Sequence, residues 1–155
     1  MSKEQPERQQ ERGQGLVEYA LVLVLIAVVI ILILTVLGES VIVVYAKVAG
    51  GLKGQTLQNN SVEYMFLNGA INVTSAGPGA CNVSITNATV FMTEDGKLVK
   101  NSGATITVQA PGGSTTMSGT SNNVGMVTGL NATLNGVTCP GTLRIGNTGF
   151  GHPMP

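Results

Sequence analysis

The sequence predicts an α+β fold, one long hydrophobic N-terminal helix followed by a small all-β, sandwich-like domain, and three observations lead there. Leu16–Leu37 is an unbroken apolar run with Glu18 as its only charge. After Gly54 the texture changes to Asn, Thr, Ser and Gly. From that point short alternations of apolar and polar residues recur between turn signals, as the strands of a small β domain require. The chain accordingly divides into a hydrophilic leader (1–13), the apolar helix (14–50), a linker (51–61), the β domain (62–148) and a short tail (149–155).

The leader, MSKEQPERQQERG, carries six charges and no aliphatic residue after Met1, so it neither folds nor inserts alone. The 22 residues of Leu16–Leu37 would span about 33 Å as a helix, close to the hydrocarbon thickness of a bilayer. Many are β-branched, which in a soluble setting favours strand. A run this long and unpunctuated must satisfy its backbone internally, and among single segments only a helix does so. After Gly38-Glu39-Ser40 the pattern VIVVYAKVA resumes with Val41, Val44, Tyr45 and Val48 at helical spacing until Gly50-Gly51. One helix from about Gln14 to Ala49 is expected, with Gly38 either a kink or the point of membrane exit.

Strand-like alternation is readable at residues 71–74, 83–86, 104–108 and 130–134. Glu94-Asp95-Gly96 between two apolar runs predicts a hairpin turn, and Pro111-Gly112-Gly113 and Asn135-Gly136 predict two more. The closing GNTGFGHPMP holds too little apolar material to predict an element. There is no internal repeat.

Charged residues are 10% of the chain, the formal net charge is zero, and no Lys/Arg cluster lies beyond the first dozen residues. A nucleic-acid surface has nothing to be built from. Catalysis is not expected either: after the helix the chain offers His152, Glu63, Glu94 and Asp95 and no nucleophile-base constellation. No cofactor or metal site is expected, because Cys81 and Cys139 with His152 fall short of a ligand set, and Glu94-Asp95 reads as a turn rather than a calcium loop. Membrane and self-association are the partners this composition favours. If the β domain lies outside the cytoplasm, Cys81 and Cys139 form a disulfide; in a cytosolic domain they would be two buried thiols.

Glu18 resists a plain membrane-anchor reading. A carboxylate within an apolar helix costs several kcal/mol in lipid unless it is paired. It either snorkels at the interface near the helix N-terminus or has a partner. The run Arg12-Gly13-Gln14-Gly15-Leu16-Val17-Glu18-Tyr19-Ala20-Leu21 resembles the processing site of Flp/Tad-type prepilins, where a hydrophilic leader ends in Gly and Glu-Tyr stands fifth and sixth in the mature chain. The resemblance covers about Gly13–Leu37 and places the cut between Gly13 and Gln14; Gly15 is a second candidate, which would leave Glu18 third.

The resemblance carries specific implications. A membrane prepilin peptidase would remove the leader, Tad-type secretion machinery would export the subunit, and the chain would form a helical homopolymer, an extracellular pilus. Glu18 would pair with the α-amine of Gln14 in a neighbouring subunit, with Tyr19 in the same seam. The β domain departs from the family, whose typical members are little more than the helix; archaeal pilins and archaellins also carry such a domain. Five N-x-S/T sequons, at Asn59, Asn72, Asn82, Asn87 and Asn131, would suit a glycosylated coat, although a domain so rich in Asn, Thr and Ser contains sequons by chance. The rival reading is a single-pass, signal-anchored surface protein that never polymerises.

Overall fold

The computed structural model describes residues 10–58 and 61–155, with side chains from Gly15 onward. The fold is α+β: a long apolar helix, α1 (Gln10–Gly51), precedes an all-β domain of antiparallel strands. The described residues divide into two compact units, the first ending at Ser40 and the second comprising Val41–Pro155. Helix α1 starts four residues earlier than Gln14 and is helical through Gly38. Gln, Glu and Arg at positions 10–12 are good helix formers, so hydrophilic composition does not stop it there.

The strands are β1 (Val62–Gly77), β2 (Ala80–Glu94), β3 (Lys97–Leu98), β4 (Gly103–Ala110), β5 (Gly113–Thr120), β6 (Met126–Thr138), β7 (Gly141–Ile145) and β8 (Gly151–Met154). One sheet places β2 between β1 and the pair β3 and β6; the other has the order β5-β4-β7-β8. They share one core. Phe66, Val83, Ile85, Val90 and Leu130 meet Ile106, Val108, Met117, Leu143 and Ile145 there. In β4 every second residue, Ala104, Ile106 and Val108, is buried, as period-two alternation requires.

β2 changes phase within its length. Cys81, Val83 and Ile85 are buried, and after Thr86-Asn87 the buried set becomes Ala88, Val90 and Met92. The extra residue is a bulge, visible as a register shift between Ile85 and Ala88 against β6. Asn87 sits there at φ 51°, a left-handed conformation that Asn tolerates better than most residues. Its N–H donates to Asn131 Oδ1 at 3.0 Å.

Two sequence expectations need correction. Asn135-Gly136 is not a hairpin turn: both residues lie inside β6, at a second bulge between its pairings with Val83 and Cys81, and Gly136 has φ 66°. A bulge and a two-residue turn both demand a left-handed residue, so the dipeptide alone does not distinguish them. The last residues are also not a tail. Gly151–Met154 pairs with β7, Met154 is buried in the core, and the Phe150 ring lies 4.5 Å from that of Phe66. Three apolar side chains, unreadable as a strand among Gly and Pro, suffice because a waiting sheet edge supplies the rest.

Within the second unit, the end of α1 covers the other face of the β1–β2 hairpin. Val43 and Ala46 form a second cluster with Met65 and Phe91, so residues 90–93 of β2 are buried on both faces. Gly50 allows close approach, since a Cβ there would sit 2.2 Å from Met65 Sδ. The stripe read from helical spacing, Val41, Val44, Tyr45 and Val48, is the exposed face of this segment.

Candidate assembly surface

Every residue from Gly15 to Val41 is exposed. The helix is long and apolar enough to cross a membrane by length and composition, and none of its most apolar window is buried within the protein. Leu, Val and Ile side chains surround it without a polar face, so no orientation hides them. Leaving each in water forgoes roughly 1.5–3 kcal/mol. Lipid or other protein must therefore cover this surface.

Glu18 and Tyr19 lie on this helix and both are exposed, Tyr19 at 75%. Among the residues whose side chains are described, none forms a hydrogen bond or ion pair with Glu18. Gly13 and Gln14 are within α1. The first nine leader residues and Asn59 fall outside the described residues.

Cys81 and Cys139 form a disulfide with Cα atoms 5.9 Å apart. It fastens the start of β2 to the segment leaving β6, beside the pairing of Ala80 with Thr138. The sequons separate by environment. Asn72 and Asn87 are exposed in β1 and β2. Asn82 is half-buried and its Oδ1 accepts the Gly136 N–H at 2.9 Å, while Asn131 accepts the Asn87 N–H and donates Nδ2–H to the Gly129 carbonyl at 3.0 Å. The last two side chains are bulge clamps, a structural role that sequon patterns do not reveal.

Sequence reasoning passed over Gln55, which it placed in a linker. Gln55 is 2% exposed. Its Nε2 donates to the Phe66 carbonyl at 2.7 Å, and its Oε1 accepts the Phe66 N–H at 2.9 Å. The side-chain amide thus stands where a neighbouring strand would be. Asn147 repeats the device one step along β1, its Oδ1 accepting the Tyr64 N–H at 2.7 Å and its Nδ2 donating to the Val62 carbonyl at 2.8 Å. The Thr148 hydroxyl lies 2.8 Å from Gln55 Oε1 and 3.1 Å from the Tyr64 carbonyl. Gln55→Ala is expected to destabilise the β domain by roughly 2–4 kcal/mol, because two buried backbone groups lose their partners. A urea titration of the purified chain measures it, and a loss below about 0.5 kcal/mol would mean that water replaces the amide.

The second unit also contains an apolar groove of about 460 Å³ lined by Ile42, Tyr45, Ala49, Leu67, Phe91 and Met126, among others. Among the described residues, no three His, Cys, Asp or Glu side chains converge as metal ligands would. No family model, no curated protein and no solved structure matches the chain. The class that fold and surface define is a β domain carried on a transmembrane-capable helix.

Proposed function

We propose that the chain is a structural pilin subunit of the Flp/Tad type, which loses residues 1–13 to a prepilin peptidase and polymerises through α1 into an extracellular filament. The observation that carries this reading is the unburied apolar helix whose Leu16–Leu37 run bears one carboxylate, Glu18, near its start. A helix that only anchors needs no acid at that position; one that packs against its own copies gains an axial register from it. After cleavage the Gln14 amine of one subunit meets Glu18 of the next, and each charge removes the cost of leaving the other unpaired in an apolar seam. The Cys81–Cys139 disulfide supports a position outside the reducing cytoplasm.

Processing is the direct test. The mature chain is expected to begin at Gln14, because that cut leaves Glu18 in fifth place, and purified filaments should contain the shortened chain. Mass spectrometry of the mature protein decides it. An intact Met1 in the assembled form overturns the prepilin reading and leaves a membrane-anchored surface protein, whereas a start at Leu16 shifts the register by two residues.

A further inference from the structure

The β domain has several sheet edges, and among the described residues most are short or covered. β8 is four residues long and contains Pro153, which cannot donate to a new strand. β5 and β6 lie against each other: a Cβ on Gly119 would sit 2.6 Å from Val127 Cγ1, and one on Gly113 3.0 Å from Val137 Cγ1. β3 has two residues, one of them Lys97. The longest strand with a free side is β1, whose outer edge is treated in two ways. From Val62 to Phe66 its backbone groups are occupied by the amides of Asn147 and Gln55. From Ala70 to Ser75 it pairs with β2 on its inner side without a register shift, and among the described residues no strand or capping amide occupies its outer side.

Natural edges of this kind usually carry a lysine, a proline or a bulge that discourages pairing. Ala70–Ser75 carries none of these, and no charge occurs anywhere from Asn68 to Ala80. We infer that Ala70–Ser75 is a pairing edge for the same segment of a second copy of this chain, antiparallel and centred on Asn72.

The identity of the occupant comes from symmetry and pattern. A two-fold contact brings residues of one segment against that segment's own copy, so charges of one sign would repel; a charge-free stretch is what such a contact permits. The run between the shifts at Asn68/Ala70 and Ser75/Gly77 is centred near Asn72. With Asn72 opposite its own copy, Ile71 stands opposite Val73 of the second copy, and Ala70 opposite Thr74. Directly opposed residues project to the same face. Ile71 and Val73 are half-buried at the rim of the core, so each would complete the cover of the other. Six residues of edge bury less than the roughly 1,200 Å² of a free-standing interface. Pairing is therefore expected between copies already concentrated by a shared membrane or filament. It does not depend on polymerisation through α1.

The experiment uses the full-length chain in membranes with Asn72→Cys and, as a control, Thr105→Cys on the exposed face of β4. Mild oxidation and then non-reducing electrophoresis reads the dimer, and peptide mapping confirms that Cys81–Cys139 is intact. Asn72→Cys is expected to cross-link at least tenfold more than Thr105→Cys. Adding Ala70→Lys and Thr74→Lys, both exposed positions, places like charges opposite each other and should reduce the cross-link at least tenfold. Ala70→Glu with Thr74→Lys places opposite charges there and should restore it. Cross-linking of Asn72→Cys no stronger than the control, or indifference to the paired lysines, would overturn the inference.

Discussion

Glu18→Ala is expected to abolish or sharply reduce filaments while leaving membrane insertion intact. The two effects have opposite signs because the carboxylate is costly in lipid and, on the proposed reading, useful only between subunits. Removing it makes insertion cheaper by roughly 2 kcal/mol or more. If the chain assembles as proposed, it also leaves the Gln14 amine of a neighbour unpaired and removes the axial register. Glu18→Gln keeps the shape and one hydrogen-bonding oxygen, so an electrostatic role predicts a defect nearly as large. Both variants must be followed for cleavage at Gly13, since an uncut precursor fails to assemble for an unrelated reason. Normal filament yield from cleaved Glu18→Ala protein would return Glu18 to an interfacial role near the helix N-terminus.

Removing the disulfide is expected to have the largest effect on the stability of the β domain. Cys81 and Cys139 are separated by 58 residues, and opening a loop of that size costs about 4 kcal/mol in the chain-entropy model. Domains of this size have net stabilities of only about 5–15 kcal/mol. The double variant Cys81→Ser with Cys139→Ser should therefore unfold in urea at a midpoint about 2 M lower or more, given a slope of about 1–2 kcal/mol per M. Two buried serines in place of sulfur add to the loss, since both positions are under 10% exposed. Reducing the native chain without substitution separates the two contributions. An unchanged midpoint after complete reduction would show that the β2–β6 pairing, rather than the covalent link, holds this end of the domain.

The α+β division was legible because each part carries a one-dimensional signal. An apolar run longer than a bilayer is thick can only be helix, and alternation at 71–74, 83–86, 104–108 and 130–134 falls within β1, β2, β4 and β6. The Glu94-Asp95-Gly96 and Pro111-Gly112 turns were legible for the same reason, their φ requirements being local: Asp95, Gly96 and Gly112 all have positive φ. Asn135-Gly136 shows the limit of that logic. Gly136 adopts the left-handed conformation that an Asn-Gly turn would also use, but whether the chain then reverses or continues depends on the strand beside it.

The sequence by itself determined the apolar helix, the single carboxylate of its Leu16–Leu37 run, the all-β character of the C-terminal domain and the pair of cysteines, because hydrophobic length, alternation and residue chemistry are properties of consecutive residues. Only the tertiary structure decided which face of the segment 41–51 meets the sheet. Helical spacing placed Val41, Val44, Tyr45 and Val48 on one face without saying what that face meets; Val43 and Ala46 are the buried residues, because Val, Ala and Gly at the contact allow an approach that larger side chains would prevent. Tertiary structure alone also decided that Gln55 and Asn147 cap the start of β1, from Val62 to Phe66, and that Gly151–Met154 becomes a strand. Those roles arise where residues up to 85 positions apart meet. The physical reason is that an edge-capping amide or a closing strand is specified by the backbone groups it satisfies, which belong to another part of the chain.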